Sequence, residues 1–308
     1  MWFKNIFLYR LPSPWNMAWD DLNLSLKSYA HRAPSALEMK SMGFVPPFFD
    51  ESEEEKFVFN VDNQWLIALK IETRLLPSSV IKEELDQRIA AIQKEKGFAP
   101  GRRETKDLKA AVTDELMPRA FLSAKTLYAW IDPKNGWLVI NAASPAAADS
   151  VIEMLNDAIP RFPLKPFHTQ KSPQAVMTEA LLNPESLDSF TLARHCILQA
   201  PTENKESVRY NNHNLDLAEI KAHLKAGKVP MALGFNFEDR FTFILSEKLQ
   251  LKNIRLEENL FKTRDDALSS TEDEKARFSA DFLLMAGEFS RFLPIFSAFL
   301  GGEKNDLR

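Results

Sequence analysis

The chain has 308 residues, of which 45% are apolar and 27% are charged, and its formal net charge is −4. This composition excludes a disordered chain, because disorder requires lower hydrophobicity. The length allows one large core or two to three smaller lobes. The negative net charge gives no sign of a nucleic-acid-binding protein, so any such role has to come from the distribution of charge.

Elements of the N-terminal part alternate between strands and a helix. We predict a strand at residues 2–11, a helix at 17–29, a rigid turn at 42–47 and two strands at 56–61 and 64–75. The turn is expected because Pro46 and Pro47 fix their own backbone and push the preceding residue into an extended conformation. Asp62 and Asn63 are typical of the tip of a hairpin between the last two strands.

Residues 77–121 have a different character, with charged residues around a thin apolar seam. Ser78 and Ser79 can cap a helix whose stripe is Val80, Leu85, Ile89 and Ile92. Residues 97–101 break this helix. A second helix at 104–117 carries Leu108, Val112 and Leu116 and is stopped by Pro118. We predict a helical hairpin that projects from the body as a tip.

Two stretches of the chain have the same order of helix, strands and helix, but their residues do not repeat. We predict strands at 125–131 and 136–141 and a helix capped by Ser144. A boundary follows near Pro163, and then come helices at 173–182 and 215–226, strands at 190–199, 207–211, 229–237, 240–246 and 249–256, and a last helix at 271–300. The predicted fold class is α+β, a multi-lobed chain with antiparallel sheets. Its segments are a body at 1–76 and 122–162, the tip at 77–121 and a second α+β lobe at 163–308.

Aromatic residues recur in the last helix at alternating spacings of four and three. The seam comprises Phe278, Phe282, Met285, Phe289, Phe292, Phe296 and Phe299. Such spacing suits a coiled-coil dimer helix, and it equally suits a helix buried against a sheet. Pro294 weakens the coiled-coil alternative, since proline kinks or interrupts a helix.

Common catalytic motifs are absent from the sequence. The chain has only 9 glycines and lacks the glycine-rich phosphate loops, and no two of its five histidines stand at metal-ligand spacing. The H-E-x-x-H and G-x-S-x-G motifs are missing as well. We therefore expect no catalytic residues, no metal and no cofactor, although an active site built from scattered residues would escape this test.

The ends of the chain and its cysteine bear on location. Lys4 and Arg10 bracket the only short apolar run near the N-terminus, which is not typical of a signal peptide. No stretch approaches the roughly 20 apolar residues of a membrane span. The single cysteine, Cys196, excludes an internal disulfide and matches no catalytic pattern. We expect a cytoplasmic protein without a membrane partner, in which Cys196 is a buried, inert thiol.

Basic residues are concentrated around the break between the two tip helices. Residues 94–109 contain three acids and six basic residues, which are Lys94, Lys96, Arg102, Arg103, Lys106 and Lys109. Acidic residues dominate the stretches 50–55 and 257–274 instead. This cluster is either a site for a phosphate backbone or an ordinary solvated helix surface. Beside it, Phe121 is either a plug of the core or part of a subunit contact.

Several strings, in this order and at this spacing, resemble the bacterial recombination-associated RdgC family over residues 1–302. They are Trp2-Phe3-Lys4-Asn5, Tyr9-Arg10-Leu11, Met42-Gly43-Phe44-Val45-Pro46-Pro47, Leu76-Pro77-Ser78-Ser79-Val80-Ile81-Lys82, Leu116-Met117-Pro118-Arg119-Ala120-Phe121, Trp130-Ile131-Asp132, Ala226-Gly227-Lys228-Val229 and Ala280-Asp281-Phe282-Leu283-Leu284-Met285-Ala286-Gly287-Glu288.

The resemblance implies a ring-shaped homodimer with a positively charged hole for double-stranded DNA. It also implies binding without sequence preference, restraint of the RecA recombinase, and a place on the nucleoid. Single-stranded DNA stays open as a further ligand. Phe121, with Leu122, looks like the contact that closes the ring, and Arg119 lies beside it. The basic tip residues look like candidates for the hole or its mouth.

A departure from the family pattern falls just before the helix predicted at 215. Where relatives can be lysine-rich, this chain has Arg209, Asn211, Asn212 and His213, which can still bind phosphate with less charge. Two other interpretations stay open. One is a recombination regulator that contacts a protein partner through the acidic loop at 50–55, and the other is a nuclease with carboxylates clustered on a metal.

Overall fold

The computed structural model describes residues 2–49, 55–258, 260 and 273–304. Most of both predicted acidic runs, at 50–54 and within 257–274, and the predicted start of the last helix at 271 lie outside these residues. The helices are α1 (Trp19–Lys27), α2 (Ser78–Lys96), α3 (Arg102–Leu116), α4 (Pro145–Ala158), α5 (Pro173–Leu182), α6 (Leu217–Lys225) and α7 (Glu274–Phe299).

Twelve strands form one antiparallel sheet in the described part of the chain. The strands are β1 (Ile6–Arg10), β2 (Lys40–Val45), β3 (Val58–Val61), β4 (Gln64–Leu75), β5 (Phe121–Asp132), β6 (Trp137–Asn141), β7 (Lys165–Pro166), β8 (Phe190–Gln199), β9 (Ser207–Asn211), β10 (Val229–Phe237), β11 (Phe241–Ser246) and β12 (Leu251–Leu256). The main path runs β2-β4-β5-β6-β1-β12-β11-β10-β8-β9, while β3 pairs with β4 and β7 pairs with β1. The predicted α+β class with antiparallel strands is confirmed.

Strand β1 joins the two halves of the sheet. Ile6 pairs with Asn141 of β6 on one edge and with Leu251 of β12 on the other. The N-terminal strand therefore lies in the middle of the sheet, between segments that are distant along the chain. The predicted division into four segments stays a prediction.

Side chains of the first half-sheet enter two cores, one on each face. Along β6, Leu138 and Ile140 join the core beneath α1 and α4, whereas Trp137 and Val139 join the core beneath α7. This alternation follows from the two-residue period of a strand. Both faces of this half are consequently covered.

The aromatic seam of α7 is buried against the sheet, which confirms that alternative. Phe282, Phe289, Phe292 and Phe296 are all 0% exposed, and the Phe289 ring centre lies 6.0 Å from that of Trp130 in the first half-sheet. The helix contains Pro294 and continues to Phe299. Of the two expected effects of this proline, a kink or an interruption, the interruption does not occur.

Helix α7 has the length and composition of a membrane span, with a mean hydropathy of 1.3 over its most apolar 18 residues. The expectation that no stretch approaches this level is therefore wrong. Its buried Glu288 pairs with Arg240, which precedes β11, and its apolar face lies in the core.

The predicted turn at 42–47 is wrong, because most of it belongs to β2. Met42 pairs with Ile71 of β4, and Ala30 bridges to Phe44 on the other side. A Cβ on Gly43 would lie 2.3 Å from the Cα of His31. The glycine therefore serves a close approach between two backbones and not a change of chain direction.

Candidate nucleic-acid interface

The turn between α2 and α3 presents the predicted basic cluster. Gly97 follows the last residue of α2, and its φ of +82° is a left-handed conformation that suits glycine. Gly101 precedes the first residue of α3. The six predicted basic residues, Lys94, Lys96, Arg102, Arg103, Lys106 and Lys109, are all exposed. Lys96 pairs with Glu104 at 3.2 Å, and within the described residues the other five have no carboxylate within ion-pair distance.

Helices α2 and α3 are held side by side by a mixture of apolar and charged contacts. Leu85 and Val112 are buried, and Arg88 of α2 binds Glu115 of α3 at 2.7 Å. The hydrogen bond from Arg88, followed by its charge, lowers the pKa of Glu115. Val80 is 43% exposed and is not part of the predicted stripe, since Ile81 is buried in its place.

A second basic surface lies on the C-terminal half of the sheet. Helices α5, α6 and α7 cover one face of β8–β12 through residues such as Cys196, Phe235 and Phe243. Ile6 of β1 pairs with Leu251 of β12, and both side chains enter the core beneath α7. The opposite face of β8–β12 is therefore continuous with the face of the first half that α1 and α4 cover. In the second half no helix in the described part of the chain covers that side, so its side chains meet solvent.

Four cations lie at this open sheet face, and all four are exposed. Arg209 of β9 and Lys252 and Arg255 of β12 alternate with buried neighbours, and Arg194 lies beside them in a bulge of β8. None has a carboxylate within ion-pair distance among the residues that the structure describes. The Arg255 guanidinium donates instead to the Asn253 side chain at 3.2 Å. Unpaired cations on one surface are the arrangement that attracts a phosphate backbone.

Two adjoining depressions shape the open sheet face. One has a volume of about 370 Å³ and contains Arg194 and Arg255, and the other, of about 500 Å³, contains Arg209 and Lys252. They share His195, Ile244 and Asn253, and the one carboxylate among their described lining residues is Glu247. A Cβ on Gly234 would lie 3.1 Å from the His195 Cβ, so glycine keeps the floor low.

His195 links these depressions to the predicted loop at 209–213. Burial lowers the pKa of His195, and the charge of Arg209 adds to this effect, whereas the hydrogen bond that the imidazole donates to the Asn211 side chain opposes it. The imidazole is therefore neutral at pH 7, since its ordinary pKa is about 6.5. Protonation of His195, at a pH below its lowered pKa, adds a cation to the open sheet face.

If the open sheet face binds DNA, as the family resemblance implies, its affinity is expected to rise as pH falls from 7 to 5, by up to about eightfold at 0.1 M salt for one added phosphate contact. The sign follows from the lowered pKa of His195, because the cationic form appears only in acid. Fluorescence anisotropy of labelled duplex measures the affinity, and His195→Gln is the comparison. A rise of equal size in His195→Gln would show that other groups cause it.

The structure brings part of the predicted loop to the open sheet face. Arg209 and Asn212 line the depressions, and Asn211 lies beside His195 on the paired strand. The His213 side chain contacts the Asn214 carbonyl oxygen at 2.7 Å and is exposed. The sequence alone does not identify five further residues of this face, which are Arg194, His195, Lys252, Asn253 and Arg255.

The tip cluster and the open sheet face are separate surfaces. Strand β5, which follows the tip, is six strands away from β8 in the sheet. At about 4.8 Å per strand this is roughly 29 Å along the sheet. The predicted basic residues therefore fall into two groups, one on each side of the centre.

Strand β5 begins at Phe121, earlier than predicted, and among the residues that the structure describes it starts as a free edge. Phe121 pairs with Leu75 of β4, whereas β6 joins the other edge only from Tyr128 onward. Phe121 is 83% exposed and Leu122 46%. The core-plug interpretation of Phe121 is therefore wrong. Arg119, just before the strand, is exposed as well.

Two further predictions concern reactive groups. Cys196 is buried, which confirms that part of the prediction. Burial raises the pKa of its thiol to about 12, which agrees with an unreactive thiol. Among the described residues, no group of three or more His, Cys, Asp or Glu side chains is placed to hold a metal ion.

Comparisons with known proteins identify one family over nearly the whole chain. Residues 1–303 match the model of the family described as "Putative exonuclease, RdgC". The chain is 45% identical over 308 residues to the recombination-associated protein RdgC of Dechloromonas aromatica, with 98% of each chain covered. It is 38% identical to that of a Janthinobacterium species, covering 98% of this chain and 99% of the relative. Identity to that of Herminiimonas arsenicoxydans is 39%, covering 99% of each. The chain therefore belongs to the RdgC family of recombination-associated proteins.

Proposed function

We propose that this chain binds double-stranded DNA through its phosphate backbone, without reading the base sequence. The observation that carries the proposal is the set of four unpaired cations on the open sheet face, Arg194, Arg209, Lys252 and Arg255. Cations without carboxylate partners release counterions when they meet phosphates, and this gives affinity without sequence preference. The basic tip residues supply a second contact.

In this proposal the protein forms a ring-shaped homodimer, whose projecting tips allow the two subunits to close around DNA. The free edge of β5 supports a subunit contact, because an unpaired strand edge is a template for pairing with another chain. Phe121, Leu122 and Leu75 add exposed apolar surface at this edge. By obstructing DNA, such a ring would restrain RecA-dependent recombination on the nucleoid in the cytoplasm.

Replacing Phe121 with serine is expected to raise the dimer dissociation constant by at least about tenfold. Burying one large apolar side chain contributes roughly 1.5–3 kcal/mol, and 1.4 kcal/mol is a tenfold change. Sedimentation velocity over a concentration series measures the effect. Leu24→Ser is the matched control, because Leu24 is 63% exposed on α1 and is not part of the free edge of β5. An unchanged dimer in Phe121→Ser would remove this edge from the interface.

Encirclement is tested by loading the protein at low salt on linear and on closed-circular duplex and then raising the salt. A closed ring slides off linear ends but stays on the circle after its phosphate contacts are screened. Equal release from both DNAs would sink encirclement and leave backbone binding intact.

We propose further that the protein holds DNA without cutting it and uses no metal or cofactor. The open sheet face supports this, since Glu247 is the one carboxylate among its described lining residues and a metal nuclease needs several. Magnesium-dependent shortening of labelled duplex by the purified chain would overturn the proposal. A chain that inhibits strand exchange but binds no DNA at low salt would favour the protein-partner alternative.

A further inference from the structure

An exposed aromatic ring stands at the turn of the helix pair. Phe98 is 64% exposed and lies between Gly97 and Gly101. A Cβ added to either glycine would meet no atom within 4 Å, so the turn stands in open surroundings. The ring is therefore available to a partner without rearrangement of the protein.

The surroundings of Phe98 are cationic. Lys94, Lys96, Arg102 and Arg103 lie within five positions along the chain and are exposed, and Glu95 is the one acid in the same window. Lys96 pairs with Glu104, which leaves Lys94, Arg102 and Arg103 without a carboxylate partner among the described residues. Among the described residues of α2 and α3, the other exposed large apolar side chain is Val80. Val80 lies in the first turn of α2, 16 residues and about 24 Å before the end of that helix at Lys96. A single exposed aromatic ring thus lies in a turn with a local excess of positive charge.

This combination has a specific chemistry. Aromatic side chains flanked by cations bind single-stranded nucleic acid, because the ring stacks on a base while the cations contact phosphates. The bases inside a duplex are already stacked on each other and present no free face. Phe98 consequently suits an unpaired base.

We infer that Phe98 stacks on an unpaired base of DNA while Arg102 and Arg103 contact the adjacent phosphates, so that the tip favours DNA with a single-stranded segment. This inference rests on the proposed DNA-binding function and names a ligand for the tip. It differs from that function in depending on an aromatic face and not on charge alone.

A contact with a second protein chain fits Phe98 less well than DNA does. Protein contacts draw on clustered apolar surface, as at Phe121, Leu122 and Leu75. Phe98 is the one exposed large apolar side chain in the described turn at 97–101, and its flanking cations are complementary to phosphate. The charge around the ring is what separates the two alternatives.

The test uses the full chain, a fully paired duplex, and the same duplex with a short single-stranded gap that contains 2-aminopurine. Phe98→Ala is compared with Phe98→Trp, which keeps an aromatic face, and with Phe98→Leu, which keeps only apolar bulk. We expect the Ala and Leu variants to bind gapped DNA about tenfold more weakly while Trp retains the affinity. Binding of the paired duplex stays unchanged, and the Ala and Leu variants lose the quenching of 2-aminopurine fluorescence.

Three results would overturn the inference. Phe98→Ala could bind gapped DNA with wild-type affinity, or Phe98→Leu could match the wild type in affinity for gapped DNA and in quenching of 2-aminopurine. The third result is loss of the dimer in Phe98→Ala, measured by sedimentation. If duplex binding remains salt-dependent in each case, the proposed function survives and only the role of Phe98 falls. A wild-type chain that binds neither DNA would sink both.

Discussion

Replacing Arg209 and Arg255 together with glutamate is expected to weaken duplex binding about a hundredfold at 0.1 M salt. Each lost phosphate contact lowers the slope of log affinity against log salt by about 0.9. The pair should therefore flatten that slope by roughly 1.8, and the new negative charges add repulsion. Both arginines are exposed and line the depressions of the open sheet face. Anisotropy titrations of labelled duplex over a salt series measure affinity and slope together.

A matched control separates local contacts from overall charge. Lys134→Glu with Lys225→Glu changes the net charge equally, but Lys134 is in the turn before β6 and Lys225 is on α6, which covers the opposite face. We expect these variants to keep the wild-type salt slope. If both pairs of substitutions weaken binding alike, DNA responds to the total charge and the open sheet face is not its site.

Replacing Phe292 with alanine is expected to lower the free energy of unfolding by about 3–5 kcal/mol, the range for large aromatic residues in a core. Its ring is 0% exposed and has the rings of Phe237, Phe241 and Phe243 within 5.2 Å between centres. Removing it leaves a cavity among rings that cannot all collapse inward. Urea unfolding followed by circular dichroism measures the change.

Phe98→Ala is the matched control for stability, since the same residue type is removed from an exposed turn. A surface substitution of this kind changes stability by about 0.5 kcal/mol or less. Similar losses from both substitutions would contradict the burial of α7 against the sheet.

Local patterns in the sequence predict most elements but not how they pair. The strands at 64–75, 190–199 and 229–237 and the helix at 173–182 have the predicted bounds, because each is a periodic apolar run with turn residues at its ends. The side chain of Ser144 caps α4, as predicted. Ser78 does not cap α2, which begins after Pro77.

Pairing between distant strands is where sequence reasoning stops. Ile6 lies between partners at 141 and 251, and no local signal names either of them. The open sheet face depends on this pairing, since Arg194 and Arg255 meet at one depression only after four strands are in order. A partial signal exists in β12, where buried Ile254 between Asn253 and Arg255 indicates one covered and one open face.

The central claim, that this chain grips the DNA backbone and does not read bases, is tested most directly by one measurement. The affinity of the full chain for two duplexes of unrelated sequence is determined over the same salt series. We predict equal affinities and one shared slope, with log affinity falling by about 0.9 per neutralised phosphate for each tenfold rise in salt. No binding at low salt, affinity that is insensitive to salt, or a large difference between the two sequences would contradict the claim.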